Sequence, residues 1–166
     1  MRFQELYTVL LVGLLTFGAP AFAAEEPVVP LSTTVFKLPL AAEVSMDEAV
    51  ESMKLRANML NFKLVAHQPL SQELAALGIE SGRIEIFQFC DARVAHEMLQ
   101  HDLDLAAYLP CRIVLIEDAD GKAWLVTLDL DRAIAGANLT PELRARALRI
   151  RDTMHAIMTA GANGEL

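Results

Sequence analysis

Alternating hydrophobic and polar positions predict five strands in the chain. The alternating segments contain many β-branched and aromatic residues, which favour strands. The last two are joined by "DADG", where Gly121 can take positive φ, so they form the clearest hairpin. The predicted strands lie near Thr33 to Leu38, at "NFKLVAH", at "RIEIFQF", over Cys111 to Glu117 and over Ala123 to Leu128.

Hydrophobic residues three and four apart predict four helices between and after these strands. They are "SMDEAVESMKLRANML", a short "LSQELAALG", "ARVAHEMLQH" and a long C-terminal helix. Capping residues support each one: Ser45 with Glu48, Asp91, and Thr140 with Pro141 mark starts, while Gly78 and Gly161 mark ends.

The resulting order is β, α, β, short α, β, α, β, β, α. Strands that arrive in a group with helices between them predict an α+β fold, with a mainly antiparallel sheet and helices packed on one face. We expect one domain over residues 33–160 and a short tail over 161–166.

The N-terminus has the features of a secretory signal peptide. Arg2 precedes an apolar run from Tyr7 to Phe17, and Ala21 and Ala23 provide the small residues that a signal peptidase recognises. The run is shorter than the ~20 residues of a membrane span. We therefore expect residues 1–23 to be removed, residues 24–32 to form a flexible lead-in, and the protein to be released into the periplasm.

The net charge of −8 narrows the range of partners. An acidic chain without a basic patch lacks the electrostatic attraction that nucleic acid and anionic lipid require. We expect no nucleic-acid partner, and no membrane association after signal cleavage.

The stretch from Ile84 to Leu130 resembles the bacterial family named domain of unknown function 302. The likeness lies in "IEIFQF", "DARVAHEML", "LPCRIVLIED" and "DGKAWLVTLDLD", in that order. The resemblance implies a compact α+β fold like half of the TATA-binding protein, a homodimer, and no established reaction. The chain departs from the family pattern at Cys90 and Asp91, which suggests a two-cysteine subgroup with an exported role.

Cys90 and Cys111 are the chain's two cysteines. Cys90 ends one strand and Cys111 begins the next, so an out-and-back path would bring them together. Because exported proteins meet an oxidising environment, a Cys90–Cys111 disulfide is the leading expectation. The alternatives are a reduced pair that handles redox equivalents or sulfur, a pair of buried inert thiols, and a metal site.

A metal or haem site is the weaker alternative, with Cys90, His96, Met98 and Cys111 as the candidate ligands. A lone solvated His96 is the simpler interpretation, because the paired histidine spacing of a metal site is missing. Phe87, His96, Tyr108 and Trp124 are the candidates for lining a pocket, although strand alternation alone accounts for Trp124.

The sequence does not contain a recognisable nucleophile, base and orienting group, so we predict no catalytic residues and no cofactor. The predicted function is that of an exported soluble binding or interaction module, a homodimer that accepts a small molecule or a protein partner. A periplasmic thiol redox or sulfur-carrying protein that uses Cys90 and Cys111 is the alternative.

Overall fold

The computed structural model of the protein describes residues 31–165. The predicted signal peptide and most of the predicted lead-in lie outside these residues. Between residues 31 and 165, none of the helices has the length and hydrophobicity needed to cross a membrane.

The five strands lie where the sequence predicts them. They are β1 (Val35–Pro39), β2 (Lys63–Gln68), β3 (Ile84–Cys90), β4 (Cys111–Glu117) and β5 (Ala123–Leu128). The four predicted helices are also present, as α1 (Met46–Met59), α2 (Leu70–Ala76), α3 (Ala92–His101) and α5 (Pro141–Asn163).

One helix is missing from the prediction, namely α4 (Leu130–Gly136). Asp129 caps it by accepting a hydrogen bond from the Arg132 backbone N–H at 3.2 Å. Two short 3-10 segments, Leu31–Thr33 and Leu103–Tyr108, complete the described elements. The Asp129 cap, with Leu130 and Ile134 four residues apart, was the sequence signal for α4.

The sheet has the strand order β1-β5-β4-β3-β2, and all neighbouring strands are antiparallel. One face packs on the helices: its side chains join those of α1 and α5 in the hydrophobic core. The predicted α+β fold with helices on one side of an antiparallel sheet is confirmed. On this face the largest fully buried sheet side chains are Phe87, Phe89, Ile113, Leu115 and Leu125.

The opposite side of the sheet, which we call the open face, is also apolar. Strand alternation places on it residues that are half-buried and lie outside the core cluster. We define the open face by Ile84, Ile86, Val114, Ile116, Trp124, Val126 and Leu128.

Strand β2 differs from its predicted facing pattern. Regular alternation along "NFKLVAH" predicts that Phe62, Leu64 and Ala66 share one face, but a bulge between Leu64 and Ala66 inserts an extra residue into the strand. As a result Leu64 pairs with Phe89, and His67 pairs with Phe87, on the helix-covered side. Alternation within one segment does not reveal such a bulge, because the bulge is defined by how β2 pairs with β3.

The predicted end of the last helix at Gly161 is wrong. Helix α5 continues to Asn163, and Gly164 ends it at φ 66°. Gly161 is instead the point of closest contact with α1, since a Cβ built there would lie 2.6 Å from Met53 Cγ and 3.2 Å from the Ala49 carbonyl oxygen. The first residues of the predicted tail therefore belong to the helix.

Candidate functional site

The site lies where β3 ends and β4 begins. Asp91 follows β3 and caps α3, with its Oδ1 accepting hydrogen bonds from the backbone N–H groups of Arg93 (3.0 Å) and Val94 (3.1 Å). Helix α3 and the following 3-10 segment lead back through a cis Leu109–Pro110 bond to Cys111. This excursion forms one wall of a pocket.

Helices α4 and α5 form the opposite wall, and arginines hold them in place. The Arg144 guanidinium donates to the carbonyl oxygens of Ile134 at 2.9 Å and Ala137 at 3.2 Å, near the end of α4. Arg146 forms an ion pair with Glu97 of α3, and Arg151 forms one with Asp131 of α4. The arginine-rich face of α5 therefore joins the walls of the pocket.

The pocket has a volume of about 100 Å³. Its wall is apolar apart from the Tyr108 hydroxyl, two thiols and Asp91, whose carboxylate already caps α3. The lining residues are Phe62, Phe89, Cys90, Asp91, Val94, Ala95, Met98, Leu105, Tyr108, Leu109, Cys111, Leu130, Ala133, Ile134, Ala137, Leu139, Ala147 and Ile150.

The structure contradicts the predicted disulfide, because Cys90 and Cys111 are both free thiols. The register of the sheet gives the reason. Phe89, not Cys90, pairs with Cys111 across the β3–β4 ladder. Neighbouring residues of a strand point to opposite faces of the sheet. Cys111 shares the face of Phe89, so the Cα–Cβ bond of Cys90 points to the other face.

Burial alters the acidity of both thiols. It raises the pKa of Cys111 to about 11, and the nearby Cys90 adds to the effect. The pKa of Cys90 is also raised, first by burial and then by the negative charge of Asp91. Because the thiolate is the reactive form, both cysteines are poor nucleophiles at neutral pH.

The remaining predicted site residues are divided between the pocket and other places. Tyr108 and Met98 line the pocket together with the two cysteines. His96 is exposed on α3 and does not line it, and Phe87 is buried beneath His67. Trp124 belongs to the open face, where its Nε1 donates to Asp118 Oδ2 at 2.7 Å and Lys37 and Lys122 lie over its ring.

The candidate metal ligands are therefore not gathered around one point. Cys90, Met98 and Cys111 share the pocket wall, while His96 lies outside it. Among residues 31–165, no three His, Cys, Asp or Glu side chains lie close enough to hold a metal ion.

The sequence analysis missed one polar cluster, which lies on the helix-covered side of the sheet. The buried Glu85 accepts from the Arg83 guanidinium and lies 2.6 Å from His67 Nε2, while Arg83 also contacts Asp47 of α1 at 2.6 Å. The cluster fastens β2 and α1 to β3. The feature of the sequence that could have revealed this cluster is Glu85, an acidic residue on the same strand face as Phe87 and Phe89.

The structure is that of an α+β domain with an apolar pocket at one end of its sheet. The chain belongs to the family described as "Domain of unknown function DUF302", which matches residues 36–161. Its fold is similar to that of an uncharacterized conserved DUF302 protein from Bacillus stearothermophilus, with a TM-score of 0.64 and 18% identity. That match covers 76% of this chain and 97% of the other. No curated protein matches the chain.

Proposed function

We propose that the domain is a non-enzymatic binding module whose pocket takes a small apolar molecule. The observation that carries the proposal is the apolar wall of the pocket, to which β3, β4, α3, α4 and α5 all contribute. A wall built from so many packed elements is largely formed before a ligand arrives, as is usual for small-molecule sites.

The volume of the pocket limits the size of the ligand. An apolar cavity of about 150 Å³ accepts benzene, whereas drug-sized ligands occupy roughly 300 Å³ or more. A pocket of about 100 Å³ therefore suits a single small ring or a short alkyl group. Charged ligands are disfavoured, because the wall provides no free partner for a buried charge.

The alternative function, thiol redox or sulfur transfer, uses the same pocket through Cys90 and Cys111. Its support is that both thiols line one wall. The raised pKa of each thiol counts against it, because sulfur chemistry at neutral pH needs a thiolate. Ligand binding makes no such demand on the cysteines, and it is therefore the function we favour.

The N-terminal sequence supports a periplasmic setting for this activity. Residues 1–23 have the charge, apolar run and small residues of a cleavable signal. Two reduced cysteines are compatible with export when burial protects them from oxidants, and Cys111 is the more deeply buried of the pair.

The test is calorimetric titration with benzene and with toluene, using variants at two positions in α4. Ala133 lines the pocket, whereas Ala135 is exposed on the same helix. We expect Ala133→Leu to fill the pocket and to weaken benzene binding by at least about tenfold, since little free volume would remain. Ala135→Leu should bind benzene like the wild type.

Two outcomes would refute the proposal. One is that the folded wild-type protein binds neither probe at millimolar concentration. The other is that Ala133→Leu and Ala135→Leu bind benzene equally well. Trapping of a mixed disulfide or persulfide on Cys90 or Cys111 at pH 7, without binding of either probe, would instead support the thiol alternative.

A further inference from the structure

One segment of the chain packs on the pocket but not on the core. It runs over residues 91–109, contains α3 and the second 3-10 segment, and is called the flap below. All of its residues are described, and none belongs to the core cluster that joins the sheet to α1 and α5. In α3 the buried residue is Met98, which lines the pocket, whereas α1 buries five residues and α5 buries six.

The apolar side of the flap faces the pocket. The flap residues on the pocket wall are Asp91, Val94, Ala95, Met98, Leu105, Tyr108 and Leu109. On its outer side the flap meets solvent, and Leu103 is 78% exposed. Burial of apolar surface is the main force that holds an element in place. A wall that faces a pocket is therefore held less firmly than one that packs on the core.

Two polar contacts join the flap to the opposite wall. Glu97 of α3 forms an ion pair with Arg146 of α5. His101 donates from Nε2 to the carbonyl oxygen of Asn138, at 2.6 Å, in the connection between α4 and α5. The caps at the starts of α3 and of the 3-10 segment stay within the flap. Because both contacts lie at the surface, each can break at a small cost in free energy.

We propose that the flap is a gate for the pocket, and that Glu97 and His101 are the clasps that hold it shut. Its hinges are its two ends, where Cys90 and Cys111 are paired into the sheet. Helix α3 has ten residues, and so short a helix is barely stable without its packing. Opening of the flap therefore also loosens α3. The gate rests on the proposed function, because it controls entry to the pocket that is proposed to bind ligand.

Hydrogen exchange of the α3 amides tests the gate without a ligand. In the wild type, α3 should exchange at least about tenfold faster than the central strand β4, after correction for intrinsic rates. Glu97→Ala and His101→Ala each remove one clasp without weakening the helix itself, since alanine is the best helix former. Each should speed exchange in α3 about threefold, and the double variant about tenfold, while β4 stays unchanged.

Gln100→Ala is the matched control, because Gln100 is exposed on the same helix. Exchange in α3 of this variant should be like that of the wild type. The comparison separates loss of a clasp from the general effect of an alanine in α3.

The kinetics of benzene binding distinguish a gate from a contact that merely supports the wall. If the closed flap holds the ligand and the open flap admits it, one opening step precedes both entry and release. Loss of a clasp should then raise the association and dissociation rate constants by the same factor of about three. The dissociation constant should change by less than about twofold, because the two rates rise together.

Three results would overturn the gate. The first is exchange in wild-type α3 that is no faster than in β4. The second is exchange in the two clasp variants that matches Gln100→Ala. The third is a weaker benzene affinity without faster association, which would make Glu97 and His101 structural supports of the wall. Benzene that fails to bind at all would refute the proposed function, while the exchange results would still decide whether the flap opens.

Discussion

Cys111 illustrates how the surroundings of one residue decide its chemistry. Its position at the start of a strand was readable from the sequence, but its acidity was not. Burial in the apolar wall of the pocket favours the neutral thiol and raises its pKa from 9.0 to about 11. The two-unit rise means roughly a hundredfold less thiolate at any pH well below 9.

We predict that alkylation of Cys111 follows this raised pKa. Cys90→Ser removes the smaller contribution of Cys90 and leaves the burial of Cys111, so the iodoacetamide rate should keep rising well above pH 9, because the thiolate is the attacking form. The same variant unfolded in urea should level off near pH 9. A folded-state profile that levels off at or below pH 9 would contradict the assigned burial.

The same shift has a consequence for stability. The folded state holds the Cys111 proton more tightly than the unfolded state does, so its stabilising contribution is complete below pH 9. It is lost as the pH rises through about 11. Urea denaturation between pH 8 and pH 11 should therefore show a steeper loss of stability for the wild type than for Cys111→Ala.

Glu85 is a second residue whose role depends on its surroundings. Its carboxylate is buried on an apolar face and contacts both Arg83 and His67. We predict that Glu85→Ala lowers the free energy of unfolding by about 2 kcal/mol, because it leaves two partly buried partners without their acceptor. Urea denaturation measures the change.

Glu51→Ala is the matched control for that measurement. Glu51 pairs with Lys54 on the exposed side of α1, where ion pairs contribute little. An equal loss of stability in the two variants would show that burial of the Glu85 cluster does not matter.

At the scale of elements, the contact between α1 and α5 depends on a missing side chain. The helices approach so closely at Gly161 that an added Cβ would overlap Met53 and press on Leu125 and the Ala49 carbonyl. The sequence suggested a helix end at Gly161, because glycine often ends helices. Glycine is also common where two helices pack closely, which is its role here. Only the position of α1 distinguishes the two roles.

We predict that Gly161→Ala destabilises the protein by about 1–2 kcal/mol, measured by urea denaturation. Overpacking costs about 1–3 kcal/mol and outweighs the ~1 kcal/mol that alanine gains as a helix former. Gly136→Ala in α4 is the control, since nothing lies within 4 Å of its added Cβ. It should be neutral or stabilising. A stabilised Gly161→Ala variant would disprove the close contact.

At the scale of the whole molecule, the pocket and the open face form two separate surfaces of one sheet. The pocket lies where β3 ends and β4 begins, whereas the open face lies opposite the helices. Their residues do not overlap: the open-face residues are absent from the pocket wall. The pocket and the open face can therefore be altered independently.

We predict that the two surfaces are energetically independent. Val114→Asp on the open face should change the benzene dissociation constant by less than about twofold. Effects at distant sites without shared partners normally add. Calorimetry of folded Val114→Asp protein measures this, and a change well above that limit would mean that the sheet transmits strain between the two surfaces.

The sequence by itself determined the strands, four of the helices, the caps and the family of this protein. The strands, helices and caps depend on residues within about one turn or one strand of each other, and the family depends on the order of such segments along the chain. Alternation along "RIEIFQF" separated Ile84 and Ile86 from Glu85, Phe87 and Phe89, while the packing of the helices decided which of the two faces is buried.

Tertiary structure decided the features that distant segments create together. The bulge in β2, the register that separates Cys90 from Cys111, and the contact at Gly161 each depend on a partner far along the chain. The pocket likewise forms only when α3, α4 and α5 meet at one end of the sheet. Such arrangements are set by packing between elements, and the pattern of one segment does not contain the geometry of another.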